Sequence, residues 1–160
     1  MPRQRAVMSR RDAAFRVAVI LGFGTQLLDG QGSHDGYMSL KFGDLKWEKI
    51  EPAWGKHSPE ISFLRIDPKT KATHLLIRHP KAMHIPRHWH TANETHTVLR
   101  GTYVFECEGR KDELGPGSFN YFPSKMIHEA WAPNDGMFFI TVDGAWDVNW
   151  VDGSPKRPRD

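Results

Sequence analysis

From about Leu40 onward the chain is cut into short segments by turn residues, and no helix of ordinary length is expected after residue 30. Strands are predicted at Ile61 to Ile66 and Thr73 to Arg78, joined by Asp67-Pro68-Lys69-Thr70 with proline at its second position. Thr95 to Leu99 and Thr102 to Cys107 read as strands that meet at Gly101. In the latter, Tyr103, Phe105 and Cys107 fall on one face, with Thr102, Glu106 and Glu108 on the other, as in a half-buried strand. Glu108-Gly109-Arg110-Lys111 reads as a polar hairpin turn, and Gly115-Pro116-Gly117 as a turn before a strand over Ser118 to Phe122. Met126 to Trp131 and Met137 to Val142 complete the series around Pro133-Asn134-Asp135-Gly136. Fourteen Gly and eleven Pro supply the turns. The expectation is one antiparallel all-β domain, a sandwich or barrel over residues 40–152, with a disordered tail over residues 153–160.

Charge excludes one class of partner. The net charge of +3 is carried by the ends, with Arg3, Arg5, Arg10, Arg11 and Arg16 at the start and Lys156, Arg157 and Arg159 at the finish. No basic stripe crosses the middle, so nucleic acid is not an expected partner. The single Cys107 forbids an internal disulfide. Residues 1–30 stand apart: a basic stretch leads into the apolar run Val17 to Gly24, which is too short to span a membrane. Ser9-Arg10-Arg11-Asp12 resembles a twin-arginine export signal, which would place the protein in the periplasm or outside the cell. The other reading is an arm docked on a cytoplasmic domain, with Gly30 to Gly36 as a linker.

Histidine is the compositional oddity, with nine residues. His88-Trp89-His90 places two imidazoles on one face of a strand, roughly 7 Å apart at the backbone. A three-residue connection then lets the chain turn back, so a neighbouring strand can aim Glu94 at the same point. His128, on a distant strand, can supply a further donor once the sheets close. Imidazole nitrogen and carboxylate oxygen together suit a divalent cation. A His-x-His pair by itself is more often a surface or packing feature.

The pattern His88-x-His90-xxx-Glu94-x6-Gly101 resembles the first motif of the cupin family, and Gly117-x5-Pro123-xxxx-His128 resembles much of the second. The likeness spans roughly residues 60–145 and departs at Ala82, Lys125 and Ala132, all turn or flank positions. It implies an antiparallel jelly-roll barrel holding one divalent metal ion on His88, His90, Glu94 and His128. The chain is similar to single-domain cupins related to diketone-cleaving dioxygenases and to the cupin domain of the anti-sigma factor ChrR. The first likeness implies a mononuclear non-haem dioxygenase for a small diketone, enol or phenolic compound, with iron favoured and zinc, manganese, nickel or copper admitted; the second bears on fold and metal, not activity. A metal-loaded binding or sensing module without turnover, or a metal-dependent isomerase or lyase, fits the same residues.

His96, two past Glu94, is expected to face the same interior as a base, proton shuttle or alternative ligand, or as a plain buried histidine. Val98, Tyr103, Phe105, Tyr121, Met126 and Ala130 are the expected apolar pocket, favouring a small apolar or aromatic substrate over a sugar phosphate. Trp146 and Trp150 suit a C-terminal strand or clasp, with a homodimer as the expected assembly. For His74 and His79 the sequence suggests no partner.

Overall fold

The computed structural model of the protein describes residues 36–157, so the possible export signal in residues 1–30 lies outside the described residues. Eleven strands follow in order: β1 (Glu48–Lys49), β2 (Glu60–Ile66), β3 (Thr73–His79), β4 (Met83–Trp89), β5 (Glu94–Arg100), β6 (Tyr103–Cys107), β7 (Arg110–Leu114), β8 (Phe119–Phe122), β9 (His128–Ala132), β10 (Gly136–Val142) and β11 (Asn149–Trp150). Among the described residues the only helical turns are 3-10 turns at Phe42–Asp44 and Pro52–His57. No helix there is long and apolar enough to cross a membrane.

The strands form two antiparallel sheets, ordered β1-β2-β3-β10-β5-β8 and β11-β4-β9-β6-β7. This is the expected all-β jelly roll. Alternation decides which side chains enter the space between the sheets. On β10, Gly136, Phe138, Ile140 and Val142 are buried, while the residues between them are half-exposed. On β5 the inward row is Glu94, His96 and Val98, and on β9 it is His128, Ala130 and Ala132. Glu94, His96 and His128 are thus carried inward by the rule that carries the apolar core.

That core is aromatic. Tyr103 and Phe138 lie with ring centroids 3.7 Å apart, and Phe105 and Phe122 pack beside them at 5.8 Å from each other. Each fully buried aromatic side chain contributes on the order of 2–3 kcal/mol of apolar burial.

Two details depart from the sequence reading. The hairpin after β6 turns on Glu108 and Gly109 alone, both with positive φ, so Arg110 and Lys111 belong to β7 rather than to the turn. Strand β4 carries a bulge between Ile85 and His88, at Pro86 and Arg87. A proline cannot donate to the ladder, and a bulge is where a strand tolerates one. Ile85 opposes Ala130 and His88 opposes His128, so Pro86 and Arg87 on β4 together face the single Glu129 on β9. The extra residue returns His88 to the inner face.

Turn backbones explain the motif departures. Gly101 has φ of 84°, and a Cβ there would lie 2.6 Å from the Asp135 carbonyl oxygen, so this glycine is required. Lys125 stands where the family pattern has glycine and still adopts φ of 64°, while its N–H donates to the His90 carbonyl at 2.8 Å. Ala82 is not among the positive-φ residues, so its side chain costs the backbone nothing.

Candidate metal centre

His88 reaches the interior from the bulged end of β4, His128 from the start of β9, and His90 from the residue just past β4. Glu94 opens β5, which belongs to the other sheet. The connection at residues 91–93 therefore crosses between sheets, rather than turning back to a neighbouring strand as the spacing suggested.

Each imidazole is held by one nitrogen. The Nδ1–H of His88 donates to the Pro86 carbonyl at 2.7 Å, that of His128 to the Met126 carbonyl at 3.0 Å, and that of His90 to the Asp147 carbonyl. A carbonyl only accepts, so all three rings carry their proton on Nδ1 and present the Nε2 lone pair inward. Ligand nitrogens from His88, His90 and His128 lie within 4.8 Å of one another. The Phe122 ring stacks on His128, with centroids 3.9 Å apart and planes 5° from parallel, which sets its orientation.

Glu94 stands against this cluster. Its Oε2 is 2.7 Å from His90 Nε2 and 3.4 Å from His96 Nε2. Yet His90 Nε2, Glu94 Oε2 and His128 Nε2 are all buried without a hydrogen bond, so the 2.7 Å approach is not aligned as one. Each orphaned buried polar atom costs roughly 1–3 kcal/mol. A divalent cation among these atoms would offset that deficit, and nitrogen with carboxylate oxygen is a donor set such ions accept.

Protonation agrees. Burial, with His128 and His90 close by, pushes the His88 ring well below the ordinary histidine value. Burial and His90 hold His128 at about 4. Burial opposes charge on Glu94, but His96 and His90 beside it hold the carboxyl below its ordinary value, so it is a carboxylate. Burial works against protonation of His90 as well, but the Glu94 charge raises it overall, which marks the position where a cation is most favoured.

The centre opens into a cavity of about 110 Å³. Of the residues expected to form it, Phe105 and Ala130 line it, as does His96. Val98 and Tyr103 are fully buried in the core but do not reach it. Tyr121 is 51% exposed: it pairs with Thr95, whose alternation with the inward Glu94 and His96 turns both residues outward. Met126 was expected to follow the alternation of His128, but β9 begins only at His128. Met126 sits in the preceding turn and lines an open cleft with Arg87, Glu106 and Lys125, on which His128 also borders. Trp146 and Trp150 line the cavity rather than an outer surface.

Several contributors were not legible in advance. Glu51 and Trp54, from the 3-10 turn region, line the cavity, and burial raises Glu51 above the ordinary carboxyl value. His79 also lines it. Its Nδ1–H donates to the Lys81 carbonyl at 2.9 Å, which leaves Nε2 to accept from the Tyr103 hydroxyl at 2.6 Å. The Trp146 indole N–H donates to Glu94 Oε1 at 3.2 Å. These contacts join residues far apart in the chain, and no local spacing announces them.

The cupin domain family matches residues 74–142. No curated protein sequence matches the chain. An RmlC-like cupin from Ralstonia eutropha has a TM-score of 0.60 at 22% identity, over 78% of this chain and 78% of that one. An acetylacetone dioxygenase from Acinetobacter johnsonii has a TM-score of 0.57 at 16% identity, over 79% of this chain and 84% of that one. The structure of Rhodobacter sphaeroides SigE with the anti-sigma factor ChrR matches with a TM-score of 0.50 at 21% identity, over 64% of this chain and 51% of that one. Two antiparallel sheets enclosing a histidine cluster that could hold a metal ion, with this motif match, define a small jelly-roll domain of the cupin kind. Residues 74–142 carry the match to the cupin domain, and the two-sheet fold around them agrees with it.

Proposed function

We propose that the protein is a mononuclear non-haem metal dioxygenase acting on a small diketone, enol or phenolic compound, with one iron(II) ion per chain. The observation that carries this reading is the cluster of three Nε2 lone pairs within 4.8 Å beside a buried carboxylate, at the wall of a small apolar cavity. His88, His90, His128 and Glu94 would hold the ion. A bound redox-active divalent ion supplies Lewis acidity towards an enolate or phenolate oxygen and electron exchange with dioxygen.

The chain's own residues narrow the substrate. Among the described residues no lysine or arginine lines the cavity, and its acidic side chains are Glu51 and Glu94. Apart from the ion itself, a phosphate or carboxylate substrate would find no cationic side chain there. A volume of about 110 Å³ suits a compound of few heavy atoms. Ile77, Ile85, Phe105, Phe138 and Ile140 exclude water around it. His96 is the candidate proton holder. Burial keeps it neutral. Its Nδ1–H donates to Asn120 Oδ1 at 2.9 Å, so Nε2 is left as a base at the cavity wall, able to take the proton of an acidic enol or phenol. A homodimer would use the outer face of the six-stranded sheet, where Leu99, Phe119 and Tyr121 stay exposed.

The test is oxygen uptake by iron-reconstituted protein given acetylacetone-type diketones and catechols. One O₂ consumed per substrate lost is expected. Turnover of the same compounds under argon would replace this reading with an isomerase or lyase. Tight binding without turnover would replace it with a sensing module.

A further inference from the structure

The Glu94 carboxylate uses its two oxygens unequally. Oε1 accepts the Trp146 indole N–H at 3.2 Å, while Oε2 is buried, unpaired and turned towards His90 and His96. Trp146 is itself held firmly. It packs edge-on to Phe63, with centroids 6.4 Å apart. The next residue, Asp147, ties the segment to the loop after His90. Its carboxylate accepts from Thr91 N at 2.8 Å, Thr91 Oγ1 at 2.5 Å and Asn149 Nδ2 at 3.0 Å, and its carbonyl holds the His90 ring. Strand β11 then pairs with β4, and Trp150 lies 5.2 Å from the His88 ring. The C-terminal segment that walls the cavity thus contacts three of the four residues assigned to the metal.

We propose that Trp146 is a positioning residue that makes Glu94 a one-oxygen ligand: its indole N–H occupies Oε1, so only Oε2 is free for the ion. The inference rests on the metal reading above. A glutamate with both oxygens free can bind a cation through one or both. Three imidazoles and a one-oxygen carboxylate leave two of six octahedral positions open, whereas a two-oxygen carboxylate leaves one. Trp146 thereby preserves the second open position that a two-reactant reaction needs, although it touches neither the ion nor a ligand nitrogen.

The test uses full-length protein loaded with Mn²⁺, with water-proton relaxation as the readout, because it scales with the number of exchangeable waters on the ion. Trp146→Phe keeps an aromatic ring and removes the N–H. It should bind one Mn²⁺ with relaxivity lowered to about half, as two open positions become one. Trp146→Gln places an N–H the same number of bonds from the backbone and should restore the wild-type value. Trp146→Met, of equal length without a donor, should behave like the Phe variant. If Trp146→Phe does not fold, the Gln and Met pair decides the question. Wild-type relaxivity in folded Phe or Met variants would overturn the proposal while leaving the metal centre intact. Absence of one tightly bound Mn²⁺ in the wild type, with no change on His88→Ala, would instead overturn the metal reading and this inference with it.

Discussion

Gly136→Ala adds one methyl group and should be among the most damaging small substitutions in the protein. A Cβ at this position would lie 2.1 Å from the Tyr103 hydroxyl oxygen, 2.8 Å from its Cζ and 2.9 Å from His79 Nε2. The glycine's φ is not in the left-handed region, so the penalty is steric rather than conformational. Tyr103 is fully buried, and its hydroxyl donates to His79, so neither ring has room to retreat. Overpacking costs about 1–3 kcal/mol, and breaking the buried hydrogen bond adds about 1–3 kcal/mol more. The sum, roughly 2–6 kcal/mol, corresponds to a fall in melting temperature of roughly 4–24 °C. Tyr103→Phe alone leaves His79 Nε2 unpaired and should cost about 1–3 kcal/mol. In the double variant the closest clashing atom is gone and the hydrogen bond is lost only once. The two effects should therefore fall short of additive by at least about 1 kcal/mol. Urea unfolding of the four proteins measures the cycle. A Gly136→Ala variant within about 0.5 kcal/mol of wild type, or a strictly additive double variant, would refute the steric argument.

The remaining expectations concern the centre and its turns. His88→Ala and His128→Ala should each lose the one bound ion, seen by metal analysis after dialysis, and with it the rise in melting temperature that a tightly bound ion gives the wild type. Lys125→Gly should keep the ion and gain up to about 1 kcal/mol, because lysine adopts φ of 64° there and glycine does so without strain. Metal content equal in all three variants would remove the ligand assignment. The metal-free protein should lose stability on acidification. His128 titrates near 6.5 when unfolded and at about 4 when folded, so the unfolded chain binds the extra proton between those values. Stability is then full above about pH 6.5 and falls towards pH 4 by about 3 kcal/mol for this ring, with His88 acting in the same direction. Urea midpoints that stay flat from pH 7 to about 4.5 would show that these rings are not buried as neutral groups.

Much of this molecule could be read from residue order because strands and turns are local. The alternation through Tyr103, Phe105 and Cys107 needs only a period of two, and the positive φ of Gly101 needs only a tight corner. His88, His90, Glu94 and His128 could be singled out because their spacing survives intact around turns that tolerate Ala82 and Lys125. Even so, the inward aim of His88 depends on a bulge at Pro86-Arg87, where a strict two-residue period would have misplaced it relative to Ile85. Met126 departs in the opposite way: it precedes the first residue of β9, so the alternation that turns His128 inward does not reach it.

Only the closed tertiary structure decides what each inward group meets. Trp146 finds Glu94 across 52 positions and Asp147 finds His90 across 57, while Tyr103 meets His79 over a glycine on a third strand. The physical reason is that a strand's period sets which face a residue occupies. Partners across the cavity are set instead by sheet order, register and the course of the connections. Those are properties of the whole chain, and they determine which nitrogen of a histidine is free, which oxygen of a carboxylate is taken, and how small the space beside them becomes.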